Sequence, residues 1–139
     1  MCRESKKLTE YVITRTGLER IISRCIPTVT RSIYLDDRYY CLTLEDWNPI
    51  FWKVVTGLPK YLAERFDCDD FAFVVSYRIT ERYGLNGCRV ALGNTPMGYH
   101  AYNLFITGSG ELFYLEPQTL EVSPVSVNTL GYITDTIIM

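Results

Sequence analysis

"HAYNLFITGSGELFYLEP", residues 100–117, decides how the second half of this chain folds. Two runs rich in aromatic and aliphatic residues flank a Gly108-Ser109-Gly110 centre, the pattern of two antiparallel strands joined by a tight connection. Strand side chains alternate between faces, so loop length decides which residues share one. A three-residue loop sets Thr107 opposite Glu111, Tyr102 opposite Glu116 and His100 opposite Gln118. His100, the only histidine in the chain, and Glu116 then lie diagonally on one face. Diagonal neighbours are about 7–8 Å apart at the backbone, within reach of long side chains. A two-residue loop would send them to opposite faces, so their meeting requires a loop of odd length.

Upstream, "DCDDFAFVVSYRITERYGL" (67–85) carries helical periodicity. Asp67 is a good N-cap and Asp70 stands at the third helical position, where it completes a capping box. Cys68, Phe71, Ala72, Val75, Ser76 and Ile79 follow the i, i+3, i+4, i+7 spacing and share an inward face. Gly84 ends the helix. This register places Cys68 on the first turn, facing the sheet. Three aspartates surround it, and only two of them are accounted for by capping. Asp69 has no such role, and carboxylates at this density leave room for a hard cation such as Ca²⁺ or Mg²⁺, although the spacing fits no EF-hand loop.

The other elements follow from the same signals. "TGLERIISRCIP" (16–27) reads as a helix with Thr16 and Glu19 in capping-box spacing and Pro27 beyond its end. "RSIYLDDRYYCLTL" (31–44) reads as a hairpin around Asp36-Asp37. "LEDWNPIFWKVVTGLP" (44–59) reads as a helix interrupted near Pro49 and ended by Gly57. "CRVALG" (88–93), "VSPVSV" (122–127) and "YITDTIIM" (132–139) read as strands, and "GNTPMGYH" (93–100) as a loop beside His100 able to gate a site. Helices precede an antiparallel sheet, an α+β plan. The whole chain, 1–139, reads as one domain: a helical and hairpin N-terminal part (1–44), helices (45–85) and the sheet (88–139).

Composition narrows the classes. A chain of 139 residues with 47% hydrophobic and 22% charged residues can bury a core without staples. The 11 tyrosines are the excess, and they favour half-buried strands and cleft walls. A net charge of −2 gives no footprint for nucleic acid. The first 25 residues contain no 7–15-residue apolar core, so they read as neither signal peptide nor membrane span. The expectation is a cytoplasmic protein, or a virus-encoded one acting in host cytoplasm or virion. The five cysteines (Cys2, Cys25, Cys41, Cys68, Cys88) are odd in number, widely spaced and lack CxxC, which argues against a disulfide scaffold or a zinc site.

Together these elements supply a thiol at a helix start, an imidazole on a strand and a carboxylate on the next strand. Cysteine catalysis needs those parts: Cys68 as nucleophile, His100 as base, Glu116 to orient the ring. The helix N-terminus favours a thiolate, and the Cys68 N–H could supply half of an oxyanion hole. The order resembles the papain-like and transglutaminase-like cysteine hydrolases. More narrowly, "FDCDDFAF", "GYHAYNLFI" and "LFYLEPQT" resemble the catalytic domain of the Marasmius oreades agglutinin and related phage and bacterial proteins, over residues 45–120. That resemblance implies a papain-like fold and a peptidase or amidase acting through a thioester on a peptide or protein substrate. No cofactor is required, though calcium dependence in the fungal relative implies a metal role for Asp67, Asp69 and Asp70. Papain-like enzymes place an oxyanion-donating glutamine before the cysteine. Here the only glutamine is Gln118, after the histidine. Trp47, Asn48, Trp52, Tyr61, Tyr40 and Gln118 are the candidates for that role or for the cleft wall, with Tyr99 beside the histidine. The alternatives are a non-catalytic binding module on the same fold, or an acyl or amine transferase with the same triad.

Overall fold

A computed structural model describes residues 7–139. Cys2 lies outside the described residues. The elements in chain order are β1 (Tyr11–Thr14), α1 (Arg15–Cys25), β2 (Arg31–Ile33), β3 (Arg38–Cys41), α2 (Leu44–Val55), α3 (Cys68–Tyr83), β4 (Cys88–Thr95), β5 (Gly98–Ile106), β6 (Leu112–Glu116), β7 (Glu121–Pro124) and β8 (Ile133–Ile138). The architecture is α+β. One six-stranded sheet runs β2-β8-β4-β5-β6-β7, and β1 pairs with β3 in a separate two-stranded sheet.

The expected register across β5 and β6 is present. Phe105 faces Phe113 and Asn103 faces Leu115, and Thr107 N–H donates to the Glu111 carbonyl. The α3 helix also starts as its sequence dictates. Asp67 and Asp70 form the capping box, with Asp67 N–H donated to Asp70 Oδ2 at 3.1 Å. Gly84 closes the helix at φ 67°, a left-handed conformation that glycine adopts without steric cost.

Other expectations are corrected. The sheet is mixed, because β2 pairs parallel to β8. The 31–44 hairpin does not form: β3 pairs with β1 instead, Tyr39 opposite Ile13. The Asp36-Asp37 corner is held open from outside. Asn86 Nδ2 donates to Asp36 Oδ2 at 3.0 Å, Arg89 reaches the same oxygen at 3.3 Å, and Arg15 Nε donates to the Asp36 carbonyl at 3.0 Å. The first helix is capped by Thr14, whose Oγ1 accepts the Gly17 N–H, rather than by Thr16. Pro49 sits inside α2 without ending it. The "GNTPMGYH" segment is not a loop. It is the end of β4, a tight turn at Pro96-Met97, and the start of β5, with Thr95 paired to Gly98.

The core lies between the helices and one face of the sheet. Trp47 stacks on Phe51 at 5.7 Å, and both meet Phe105 edge-on. Cys41 and Cys88 are fully buried, and burial pushes the Cys41 thiol up to about 11 and that of Cys88 higher still. Cys25 is exposed and Cys68 half-buried. Brief alkylation of the native protein near pH 8, read by mass spectrometry, is therefore expected to mark Cys25 and Cys68 and to spare Cys41 and Cys88. Equal marking of all four would contradict this packing. No described helix is long and apolar enough to cross a membrane.

Candidate functional site

The site begins with a close approach of two backbones. His100 on β5 stands opposite Gly93 on β4. A Cβ on Gly93 would overlap the Ile133 carbonyl, so glycine is required where the β4–β8 ladder shifts register between Leu92 and Gly93. Tyr132, just ahead of β8, is thereby brought to Glu116.

Glu116 is buried and holds three hydrogen bonds. His100 Nε2 donates to Oε2 at 2.6 Å, Tyr132 Oη donates to the same oxygen at 2.6 Å, and Gln118 N–H donates to Oε1 at 3.2 Å. Burial opposes the charge, but the bonds from His100 and Tyr132 outweigh it and hold the carboxyl below its ordinary value. Burial and the adjacent carboxylate push the Tyr132 phenol the other way, far up. With Nε2 committed to Glu116, the neutral His100 ring turns Nδ1 outward as an acceptor. Beneath it, Tyr102 and Tyr132 lie 4.1 Å apart between ring centres, and Thr134 Oγ1 bonds the phenols of Tyr102 and Tyr114. The excess tyrosine thus serves chiefly as a floor.

The α3 helix is fastened to this floor by Asn103, whose Nδ2 donates to the carbonyls of Ala72 and Arg89 at 2.9 Å each. Ser76 Oγ adds a bond to the Cys88 carbonyl at 3.2 Å. The start of α3 consequently opens on the same cleft as His100. That cleft holds about 620 Å³, and Cys68, His100, Glu116, Tyr61, Tyr99 and Tyr132 are among its walls. Cys68 Sγ makes no hydrogen bond to His100 or to any other described residue. It lies instead within 4.8 Å of carboxylate oxygens of Asp67 and Asp69.

The other expected residues are dispersed. Trp47 is wholly buried and donates Nε1–H to the Ile106 carbonyl at 3.1 Å. It is a core residue, not an oxyanion donor. Asn48 is exposed on α2 and lines no wall of the cleft. Tyr40 N–H is bonded to Asn86 on the far side of the domain. Trp52 stands exposed on α2. Tyr99 reaches out of the cleft, donating to Asp135 at 3.0 Å. Gln118 contributes its backbone to Glu116 and lines the cleft. In the acidic group, the hydrogen bond between Asp69 and Asp67 holds Asp69 above the ordinary carboxyl range and Asp67 below it. Asp70 is turned to the Asp67 backbone. Two carboxylates and a soft thiol offer a hard cation few of the six to eight oxygens that Ca²⁺ takes. Two site residues escaped sequence reasoning. Asn103 had a signal, a lone amide inside an apolar strand. Tyr132 had none, because its role depends on where β8 enters the sheet.

No family model and no curated protein matches the sequence. The chain is similar to two solved structures. One is a PSL1a–E64 complex, 25% identical with a TM-score of 0.72, matched over 92% of this chain and 51% of that one. The other is Polyporus squamosus lectin bound to the human-type influenza-binding epitope Neu5Aca2-6Galb1-4GlcNAc, 23% identical with a TM-score of 0.74, over 92% and 49%. This chain spans about half the length of each. The likeness corrects the expectation of a papain-like or transglutaminase-like cysteine peptidase or amidase, since neither similar structure is described as a hydrolase and one is named a lectin. The physical side of that correction is the thiol itself: no hydrogen bond reaches it from His100, and its neighbours are carboxylates. The Cys-His-Glu order reports how this fold brings a helix start to a sheet, and that arrangement does not by itself specify chemistry.

Proposed function

We propose that this chain is a non-catalytic binding module that takes a hydroxyl- or amide-bearing ligand in the cleft beside His100. The observation that carries this reading is the His100–Glu116–Tyr132 group. The bond to Glu116 orients the ring and leaves Nδ1 as a fixed acceptor at the cleft wall. A ligand hydroxyl or amide N–H can donate to it, while the exposed rings of Tyr61 and Tyr99 offer apolar faces. A preorganised acceptor between aromatic walls suits ligands that alternate polar edges with apolar faces. Likeness to a lectin supports the same class of function.

The two ligands held by the similar structures serve as probes. In calorimetric titrations of the full chain, Neu5Aca2-6Galb1-4GlcNAc or E64 is expected to bind, and His100→Ala to weaken that binding at least about tenfold. Binding of neither probe, or binding indifferent to His100, would overturn the reading. Titrations in CaCl₂ and in chelator place the acidic group in the same experiment. A Ca²⁺-dependent rise in Tm that Asp69→Asn removes would assign it a cation.

A further inference from the structure

A second chamber adjoins the first. It holds about 500 Å³ and is walled by Trp52, Lys60, Tyr61, Phe71, Gln118 and Thr119, among others. Tyr61, Gln118 and Thr119 also line the His100 cleft, so the two chambers share a wall and form one groove. Trp52 is 67% exposed and Tyr61 56% exposed. The α2 helix buries Trp47, Ile50, Phe51 and Val54 on its other side, so the core has no use for Trp52. An unpartnered indole beside a tyrosine ring is a platform for the flat face of a ligand unit. Charge gives the groove a direction. Lys60 is the only charged side chain lining the second chamber, whereas the first is lined by Glu116 and Glu121.

We propose that this groove takes a chain-like oligosaccharide, with a neutral unit at His100 and an anionic unit seated on Trp52 and Tyr61 beside Lys60. The proposal rests on the binding-module reading and adds ligand length, class and polarity to it. Trp52 and Lys60 stand on the surface, so their removal tests recognition without disturbing the core. Calorimetry on the full chain compares the acidic trisaccharide Neu5Aca2-6Galb1-4GlcNAc with Galb1-4GlcNAc, which lacks the acidic unit. Trp52→Ala and Lys60→Ala are each expected to weaken the trisaccharide at least about fivefold and to leave the disaccharide unchanged. Rising salt should erode the Lys60 contribution. Trisaccharide binding that depends on His100 but ignores Trp52 and Lys60 would overturn the second chamber and leave the module reading intact. Binding of E64 alone would overturn the oligosaccharide assignment and likewise spare that reading. If no probe binds, both fall.

Discussion

Replacing Glu116 by alanine is expected to lower stability by about 3–5 kcal/mol. The carboxylate accepts from His100, Tyr132 and the Gln118 N–H at once. Its loss strands a buried phenol and an oriented imidazole. Leaving buried donors unsatisfied accounts for most of the effect. Glu116→Gln keeps the shape and an acceptor oxygen, and should cost less, about 1–3 kcal/mol. Urea denaturation of the three proteins checks the order. The same carboxyl sets an acid limb. Its folded value lies below the ordinary one of 4.5, so its contribution is complete above that value and is lost as pH falls through the folded value. Wild-type Tm should therefore drop on acidification below about pH 4.5 more steeply than that of Glu116→Gln. Parallel curves for the two proteins would refute this account.

Trp47→Ala should be equally damaging, about 3–5 kcal/mol. The indole is wholly buried, stacks on Phe51, meets Phe105 edge-on and donates to the Ile106 carbonyl. Truncation opens a cavity at the junction of α2 with the sheet and orphans a backbone acceptor. Trp47→Phe refills much of the volume but not the hydrogen bond, and should fall between. Far-UV circular dichroism during thermal melting reads both. A Tm within about 2 °C of wild type for Trp47→Ala would show that this residue is not part of the core.

Both residues were visible in the sequence, and they illustrate two kinds of legibility. Parity along 100–117 predicted that His100 and Glu116 share a face, because strand periodicity and an odd loop leave no other arrangement. The same local logic placed the Asp67–Asp70 capping box and the inward face of α3. Trp47 was misassigned because sequence identifies an aromatic residue on a helix but not the side of the helix that meets the sheet. Non-local partnerships were equally hidden. Strand character in 31–33 is local, but its pairing with 136–138 is not. Tyr132 and Asn103 act through where β8 and α3 dock. The functional expectation failed for a further reason. Residue order and face reveal that a thiol, an imidazole and a carboxylate can approach one cleft, while reactivity depends on hydrogen bonds and local charge that only packing determines.

The placement of β8 has a temporal consequence. It lies between β2 and β4, and the contacts that seat the β2 region span more than a hundred residues, as between Thr28 and Thr134. Until β8 emerges from the ribosome, β2 has no neighbour and β4 offers a bare edge, so the nascent chain carries two open strand borders through most of its synthesis. The β4–β5–β6–β7 meander can assemble from near neighbours, but the sheet closes only when its central strand, among the last segments translated, slides into a slot already flanked on both sides. Closing long loops makes such a step slow relative to hairpin formation. The chain should therefore be most vulnerable to misassociation during that late interval, not at the outset of folding.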